Sequence, residues 1–274
     1  MIGVVIPEIV HYFFSSVISG IEQVANEHGF SVIISQSGEA YDKEVEVCDT
    51  FRHSIIDGLL ISVSKQTEKY DHLQNLEDDG IPVVFFDRVI EGFNADRVLI
   101  NDYEGAFQAT QHLIVEGCRR IVHFSGPQNR LIGSNRLKGY LEAHRKNGVV
   151  IDKALVINCD TFEKALVETQ KLIDSGVKFD SIFTVNDFTA AGAIKVLKNN
   201  GIKIPEEVSV IGFGNDHIAE MIEPRLTTVS QPGFTMGEKA MQMLINRINS
   251  EKNVEPRSEI LPTSIIVRNT TKSR

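Results

Sequence analysis

The chain has 274 residues, enough for one large domain or two of ordinary size, and its 42% hydrophobic and 24% charged residues are typical of a soluble globular protein. The net charge of −9 and the absence of Trp argue against a nucleic-acid surface, because phosphate binding requires a basic footprint. These residues are therefore not expected to contact DNA themselves.

The first hundred residues alternate between short apolar runs and segments of helical period, the pattern of a parallel sheet covered by helices on both faces. An apolar stripe at helical spacing lies between the first two runs and ends at Gly29, and a second helix is predicted over Asp42–Ser54. The strands predicted here are Ile2–Ile6, Ser31–Ser35, Gly58–Val63, Val83–Phe86 and Val98–Ile100.

The next part of the chain repeats this scheme, which predicts a second sheet of similar size. No Ser/Gly/Pro-rich linker separates the two. The predicted strands are Arg120–Phe124, Ala154–Ile157, Ser181–Val185 and Val208–Gly212. The predicted helices are Glu104–Glu116, Ser134–Asn147, Phe162–Ser175 and Phe188–Asn200.

A helix over Phe234–Asn249 and a strand over Ser264–Arg268 are predicted after the second sheet. We expect the helix to return to the first lobe, so that the chain crosses between lobes three times. The fold class predicted is α/β, with two doubly wound parallel-sheet lobes joined by three crossover strands. Residues 1–100 plus 231–262 form the amino-terminal lobe and residues 101–230 plus 263–274 the carboxy-terminal lobe, with a ligand cleft expected between them.

The loops after the predicted strands are the expected ligand-binding segments, because ligands of open parallel sheets bind beyond the carboxyl ends of the strands. These loops are rich in carboxylates, amides, a guanidinium and aromatic rings, which suit the hydroxyls and flat faces of a sugar. The segments are Glu8 to Phe14, Ser35 to Ser37, Asp87-Arg88, Ser125-Gly126, Asp160, Asn186-Asp187 and Gly214-Asn215-Asp216.

Motifs for catalysis, metals and cofactors are not found in the sequence. The eight histidines show no H-x-H or H-E-x-x-H spacing, and Cys48, Cys118 and Cys159 form no C-x-x-C pair. Gly212-Phe213-Gly214 ends a late strand and lacks the third glycine of a dinucleotide fingerprint. There is no G-x-S-x-G elbow. We therefore expect no enzyme activity, no metal and no cofactor.

Several segments, in this order, resemble the LacI/GalR family of bacterial transcription regulators and the related sugar-binding proteins. The most specific are the run Ile204-Pro-Glu-Glu-Val-Ser-Val-Ile-Gly-Phe213 and the run Pro224-Arg-Leu-Thr-Thr-Val-Ser-Gln-Pro232. The others are Pro7 through Phe14, Ile81 through Arg88, Gly117 through Ile121, Gly126-Pro127 followed by Arg136 through Tyr140, and Asn186-Asp187 with Ala191-Gly-Ala193. The resemblance covers essentially the whole chain.

The resemblance implies a periplasmic-binding-protein-like fold and the effector-sensing, dimerising domain of a repressor. It implies a sugar or sugar derivative as effector, a homodimer, and operator DNA bound only through an amino-terminal helix-turn-helix headpiece that these residues do not include. The chain starts with a strand and not with an export signal, and no apolar run is as long as a membrane span, so the cytoplasm is expected.

Carried over residue by residue, the resemblance implies one set of effector-binding residues. Two departures from the family pattern are visible: Gly214 stands where an Asp is common, and His11 replaces a more usual Asn. Arg136 is expected on the first turn of its helix, donating to ligand oxygens and contributing little to stability. The implied set is His11, Phe13, Phe14, Asp87, Arg88, Arg136, Phe162, Asn186 and Gln231.

Each of these residues also has a purely structural explanation. One of Phe13 and Phe14 is expected in the core, with Phe14 the better ligand candidate. Asn186, or the Asp beside it, would cap the following helix, and Arg88 would pair with its neighbouring carboxylate at the surface. Gln231 would bridge the backbone at a crossover. Arg136 is the hardest to explain without a ligand.

Three functions remain open from the sequence. The first is the effector domain of a regulator. The second is a solute-binding protein of a sugar transporter, which would carry an export signal. The third is a sugar-processing enzyme on a similar scaffold, which would turn its ligand over.

Overall fold

A computed structural model of the chain describes residues 1–10, 12–250 and 255–272, so that His11, one of the predicted site residues, lies outside the described residues. The chain divides into two compact units. The first unit comprises Met1–Ile100 and Pro232–Leu261, and the second comprises Asn101–Gln231 and Pro262–Arg274. The chain therefore passes from one unit to the other three times, after Ile100, Gln231 and Leu261.

The described part of the first hundred residues contains five strands and three helices, one more helix than the sequence predicted. The additional helix is short and has only two apolar residues facing inward, Leu73 and Leu76, which explains why no periodic pattern revealed it. The elements are β1 (Ile2–Ile6), α1 (Tyr12–Glu27), β2 (Val32–Gln36), α2 (Tyr41–Arg52), β3 (Gly58–Ile61), α3 (Asp71–Asp78), β4 (Val83–Phe86) and β5 (Asp96–Ile100).

The middle of the chain forms most of the second unit, and its predicted elements are confirmed with shifts of one to three residues at their ends. The short helix α8 was not predicted, and β10 was expected only as part of a crossover strand near Val229–Gln231. The elements are α4 (Asp102–Val115), β6 (Ile121–Ser125), α5 (Leu131–Lys146), β7 (Val156–Asn158), α6 (Phe162–Asp174), β8 (Ser181–Thr184), α7 (Asp187–Asn199), β9 (Ser209–Gly214), α8 (Ile218–Met221) and β10 (Thr227–Ser230).

The last part of the chain returns to the first unit before it ends in the second. Helix α9 (Gly233–Ile248) and strand β11 (Ser258–Leu261) belong to the first unit, and β12 (Ser264–Ile266) belongs to the second. Strand β11 was not predicted, because it lies at a sheet edge with only Leu261 buried and so shows no apolar run.

In the described residues each unit contains one sheet, as predicted, and each sheet has six strands. The order in the first unit is β11-β5-β4-β3-β1-β2, and every pairing is parallel. The order in the second unit is β12-β10-β9-β8-β6-β7, where only β12 is antiparallel to its neighbour. In β1, Val4 lies between Ile34 and Leu60 of the adjacent strands and is fully buried. Each sheet therefore has its strands covered by helices, the arrangement that parallel sheets require.

The two units have separate hydrophobic cores. The core of the first unit includes Phe51, Leu59 and Phe85, and that of the second includes Phe124, Ile182 and Leu197. Among the described helices, none is long and apolar enough to cross a lipid bilayer. The loops that follow the carboxyl ends of the strands in each sheet are called here the carboxyl edge of that unit.

Candidate ligand-binding site

Arg136 lies at the carboxyl edge of the second unit, on α5. Because α5 begins at Leu131, Arg136 is on its second turn and not on the first turn as the sequence suggested. The side chain is 5% exposed. Its guanidinium carbon lies 3.5 Å above the centre of the Phe213 ring, a cation–π arrangement at the end of β9.

The guanidinium of Arg136 already has two partners in its own unit. Its Nε donates to Oδ1 of Asp102 at 2.7 Å, and its Nη1 donates to the carbonyl oxygen of Val185. No group in the described part of the chain accepts from Nη2. The packed guanidinium thus presents one fixed nitrogen for a further acceptor, which is what orienting a ligand oxygen requires.

Asp102 is a member of this site that the sequence reasoning missed. It is the first residue of α4 and directly follows the cap residue Asn101, whose side chain accepts from the backbone N–H of Glu104 at 3.0 Å. Its side chain is buried, and this burial raises the pKa of the Asp102 carboxyl while the charge of Arg136 opposes the shift. The helix predicted from the sequence began at Glu104, so that Asp102 lay before it and carried no positional signal.

Asn186 caps α7, and it also ties two loops of the carboxyl edge together. Its Oδ1 accepts from the backbone N–H of Thr189 at 2.8 Å, and its Nδ2 donates to the carbonyl oxygen of Asp160 at 2.8 Å. The alternative that the adjacent Asp187 provides the cap is therefore wrong.

Asp187 instead holds the ends of β9 and β10 together. Its Oδ1 accepts from the Thr228 hydroxyl at 2.6 Å, and its Oδ2 accepts from the backbone N–H of Asp216 at 2.7 Å. Burial raises the pKa of Asp187 to about 6, although these two hydrogen bonds favour the ionised form. A Cβ at Gly212 would overlap Oδ1 of Asp187, which explains the glycine at that position.

The loop after β9 takes a backbone shape that favours glycine at its start. Gly214 has φ +137° and Asn215 has φ +55°. The Asn215 Oδ1 accepts from Nη2 of Arg268 at 2.7 Å, and the same nitrogen donates to Glu220 at 3.0 Å. The side chain of Asn215 is thus held by Arg268.

Two further predicted site residues, Phe162 and Gln231, belong to the second unit. Phe162 is the first residue of α6 and is half-buried, with the Lys195 ammonium 5.7 Å from its ring centre. Gln231 is half-buried and is the last residue before the chain passes to the first unit.

In the first unit, Phe13 is more exposed than Phe14, whereas the sequence analysis had preferred Phe14 as the residue that contacts the ligand. Phe14 is 3% exposed, whereas Phe13 is half-buried, and their rings meet edge to face at 5.2 Å. The choice of Phe14 over Phe13 as the ligand candidate needs correction, because Phe14 is part of the hydrophobic core and Phe13 is the more exposed of the two rings.

Arg88 forms its main ion pair with Glu39 and not with the neighbouring Asp87. Its Nη1 donates to both carboxylate oxygens of Glu39 at 2.8 and 2.9 Å, whereas Nε lies 3.8 Å from Asp87. Both acidic residues have φ +60°, a left-handed backbone that non-glycine residues adopt rarely. Oδ2 of Asp87 lies 3.5 Å from the Ser62 hydroxyl. Glu39 was not among the predicted residues, since a loop glutamate carries no positional signal.

The structure therefore groups the described candidates by unit. Arg136 and Asn186 flank Val185 on the second carboxyl edge, and Asp87 and Arg88 are adjacent on the first. A cavity of about 620 Å³ in the first unit, lined by Asp96, Met243 and Arg247 among others, includes none of the predicted site residues. The described residues contain no group of His, Cys, Asp and Glu that could hold a metal ion.

The chain belongs to the family described as periplasmic binding proteins and the sugar-binding domain of the LacI family, whose model matches residues 1–270. It is 32% identical to the HTH-type transcriptional repressor PurR of Vibrio atlanticus over 276 residues, which cover 99% of this chain and 81% of the repressor. This family membership and the repressor relatives make the chain an effector-binding domain of the LacI regulator type, and they favour that function over the transporter and enzyme alternatives.

Two solved structures of related regulators carry sugars. A periplasmic binding protein/LacI transcriptional regulator of Alkaliphilus metalliredigens in complex with D-xylulofuranose is 31% identical and covers 99% of each chain with a TM-score of 0.85. A LacI family regulator of Enterococcus faecium with bound ribose is 27% identical and covers 98% of each chain, also with a TM-score of 0.85. The fold predicted from the sequence is thus confirmed.

Proposed function

We propose that this domain binds a small, hydroxyl-rich effector of the sugar class through residues at its two carboxyl edges, and that it works as a homodimer in the bacterial cytoplasm. The proposed contact residues are His11, Phe13, Asp87, Arg88, Arg136, Phe162, Asn186 and Gln231, with Phe14 supporting Phe13 from the core.

The observation that carries this proposal is the way Arg136 is held. A buried arginine needs compensation, and this one is fixed by a carboxylate, a carbonyl oxygen and an aromatic ring. Such a guanidinium loses little freedom when it donates Nη2 to a ligand, so it is preorganised for a hydroxyl. Half-buried Phe162 offers a ring face in the same unit.

The first unit adds acceptors to this donor set. Asp87 sits on a left-handed backbone directly after β4, with one carboxylate oxygen near Ser62. Carboxylates accept two hydroxyl donors at once, and a half-buried ring such as Phe13 suits the apolar face of a sugar. The bound ribose and D-xylulofuranose of the two related regulators support a five-carbon sugar as the first class to try.

A screen of thermal stability against pentoses, hexoses, sugar phosphates and purines tests this proposal, followed by calorimetry on any compound that raises Tm. Arg136→Lys is the sharpest variant, because a lysine keeps the charge but cannot hold Asp102, Val185 and a ligand in one plane. We expect at least about tenfold weaker binding, the equivalent of one charge-assisted hydrogen bond. Wild-type affinity in Arg136→Lys would exclude Arg136 from the site.

The homodimer follows from the expected two-fold operator, which requires two headpieces. Light scattering at micromolar concentration tests it, and a strictly monomeric mass would contradict it.

DNA binding is expected to need a separate headpiece, because the first unit contains 21 acidic and 10 basic residues, a net charge of −11. Sequence-specific retention of duplex DNA by this chain alone would contradict that expectation.

A further inference from the structure

We infer that Asp102 sets the charge selectivity of the effector site, so that the site accepts uncharged polyols and rejects ligands that carry a phosphate or a carboxylate. This inference deepens the proposed function and rests on it, because it takes Arg136 as the residue that meets the ligand. Asp102 acts through Arg136 and is a positioning residue.

The first step is the neutrality of the Arg136–Asp102 pair. Unpaired, a buried arginine is the side chain best suited to a phosphate or carboxylate, because its planar fork matches two oxygens. Here the Nε side of the fork is taken by Asp102 at 2.7 Å, and Nη1 is taken by the Val185 carbonyl. The remaining nitrogen, Nη2, has no acceptor among the described residues, and it belongs to a group whose charge is already compensated by Asp102, which suits a hydroxyl oxygen better than an anion.

Other cations at the two carboxyl edges are compensated as well. Arg88 is bound by both oxygens of Glu39. Arg268, whose guanidinium reaches the loop after β9, is bound by Asn215 and Glu220. Lys164 is paired with Asp160 at 2.6 Å. An incoming anion would have to break one of these pairs and leave a carboxylate without its cation.

The helix amino termini of the second unit point the same way. Anions bind at a helix start when its N–H groups are free, but the first turns of α4, α6 and α7 are capped by the side chains of Asn101, Thr161 and Asn186. Each of these turns also contains an acidic residue. Helix α5 is the exception, because it has no side-chain cap and no acidic residue in its first turn. Arg130 at its start is engaged by other groups of the chain.

The first experiment uses inorganic phosphate and three variants, with circular dichroism to verify the fold of each. In Asp102→Asn the isosteric amide still accepts from Arg136 but no longer neutralises it. Phosphate is excluded from protein surfaces and therefore also stabilises the wild type in a general way. We expect it to raise the Tm of Asp102→Asn by more than it raises the Tm of the wild type. The double variant Asp102→Asn/Arg136→Met should lose that excess. Asp79→Asn, which removes an exposed carboxylate paired with Arg52, is the matched control and should behave as the wild type.

The second experiment compares D-ribose with D-ribose 5-phosphate by calorimetry. The wild type should bind the phosphate at least about tenfold more weakly than the sugar, and Asp102→Asn should narrow or reverse that ratio. An equal or tighter affinity of the wild type for the phosphate would overturn the inference, even if no Asp102 variant folds. So would a phosphate response of Asp102→Asn equal to that of the wild type.

The two proposals fail in different ways. If Asp102→Asn gains the Arg136-dependent phosphate response while neither pentose compound binds the wild type, the pentose class is wrong and the role of Asp102 stands. If D-ribose binds but Arg136→Lys binds it equally well, the assignment of Arg136 is wrong and the inference about Asp102 falls with it.

Discussion

Gly20 in α1 faces the backbone of Phe234 in α9 so closely that an added Cβ would overlap the Phe234 carbonyl oxygen. The contact is reciprocal, because a Cβ at Gly237 of α9 would overlap the carbonyl oxygen of Val17 in α1. Two glycines therefore allow helices more than two hundred residues apart in the chain to pack backbone against backbone. This contact fixes the returning helix α9 on the first unit.

Gly20→Ala should destabilise the first unit although alanine is the better helix former. The added methyl forces the two helices apart, and such overpacking costs typically 1–3 kcal/mol. Urea denaturation measures the change in the free energy of unfolding. Ser19→Ala, an exposed neighbour on the same helix, is the control and should stay within about 0.5 kcal/mol of the wild type. A Gly20→Ala variant as stable as its control would show that the helix contact yields without cost.

Arg136→Ala should lower both effector affinity and stability. The sequence alone predicted little effect on stability, but the structure shows that Asp102 would be left buried without its cation. Removing one partner of a buried ion pair typically costs about 3–5 kcal/mol. Urea denaturation of Arg136→Ala, Asp102→Ala and the double variant measures the coupling between the two residues. We expect the double variant to be more stable than the sum of the single losses implies; simple additivity would contradict a direct pair.

Asp187 should make the second unit less stable as the pH rises from about 4 to 6. Its folded-state pKa of about 6 is above the ordinary value of about 3.9, so the protonated form is favoured in the folded state. Its contribution to stability is complete below pH 4, is lost between pH 4 and 6, and is constant above, a change on the order of 3 kcal/mol. The side chain of Asp187→Asn cannot titrate. As the pH rises from 4 to 6, the stability of this variant relative to the wild type should therefore increase. Asp42→Asn, at an exposed position, is the control.

The alternation of apolar runs and helical segments was enough to predict the fold class, since eight of the nine strands predicted before the tail overlap strands in the structure by three residues or more. The sequence did not predict two elements, β11 and α3, because each buries too few apolar residues to show a periodic pattern. Strand β11 is largely exposed, and α3 has too few inward residues to show a period. The pairing of β11 with β5 also joins segments that are distant in the sequence, which a local pattern cannot reveal.

The candidate site was predictable in position but not in its pairings. The rule that ligands bind beyond the carboxyl ends of strands directed attention to Asp87, Arg136 and Asn186. The partners Asp102 and Glu39 could not be predicted, because a pair separated by 34 or 49 residues leaves no trace in local spacing. The burial of Phe14 in preference to Phe13 depends likewise on the register of α1 against its neighbours.

His123 should have the opposite pH dependence to Asp187 in the same unit. Its imidazole is fully buried on β6, stacked between Tyr140 at 5.1 Å and Phe183 at 4.8 Å, and its Nε2 has no hydrogen-bond partner among the described residues. Burial lowers the pKa of His123 to about 4, against an ordinary value of 6.5.

The folded state therefore favours the neutral imidazole of His123. The contribution of this residue to stability is complete above about pH 6.5 and is lost as the pH falls toward 4, a change on the order of 3 kcal/mol. Between pH 4 and 6 this loss opposes the gain from Asp187, so the wild type alone would show little net slope from the pair. His123→Phe keeps the aromatic stack but cannot titrate. Urea denaturation of His123→Phe and the wild type at several pH values from 4 to 7 should give curves that diverge on acidification, with the wild type losing stability relative to the variant. His53→Phe, at an exposed position, is the control. If the stability of His123→Phe and that of the wild type change in parallel with pH, the imidazole of His123 is protonated as readily in the folded chain as in the unfolded one, which would contradict the prediction.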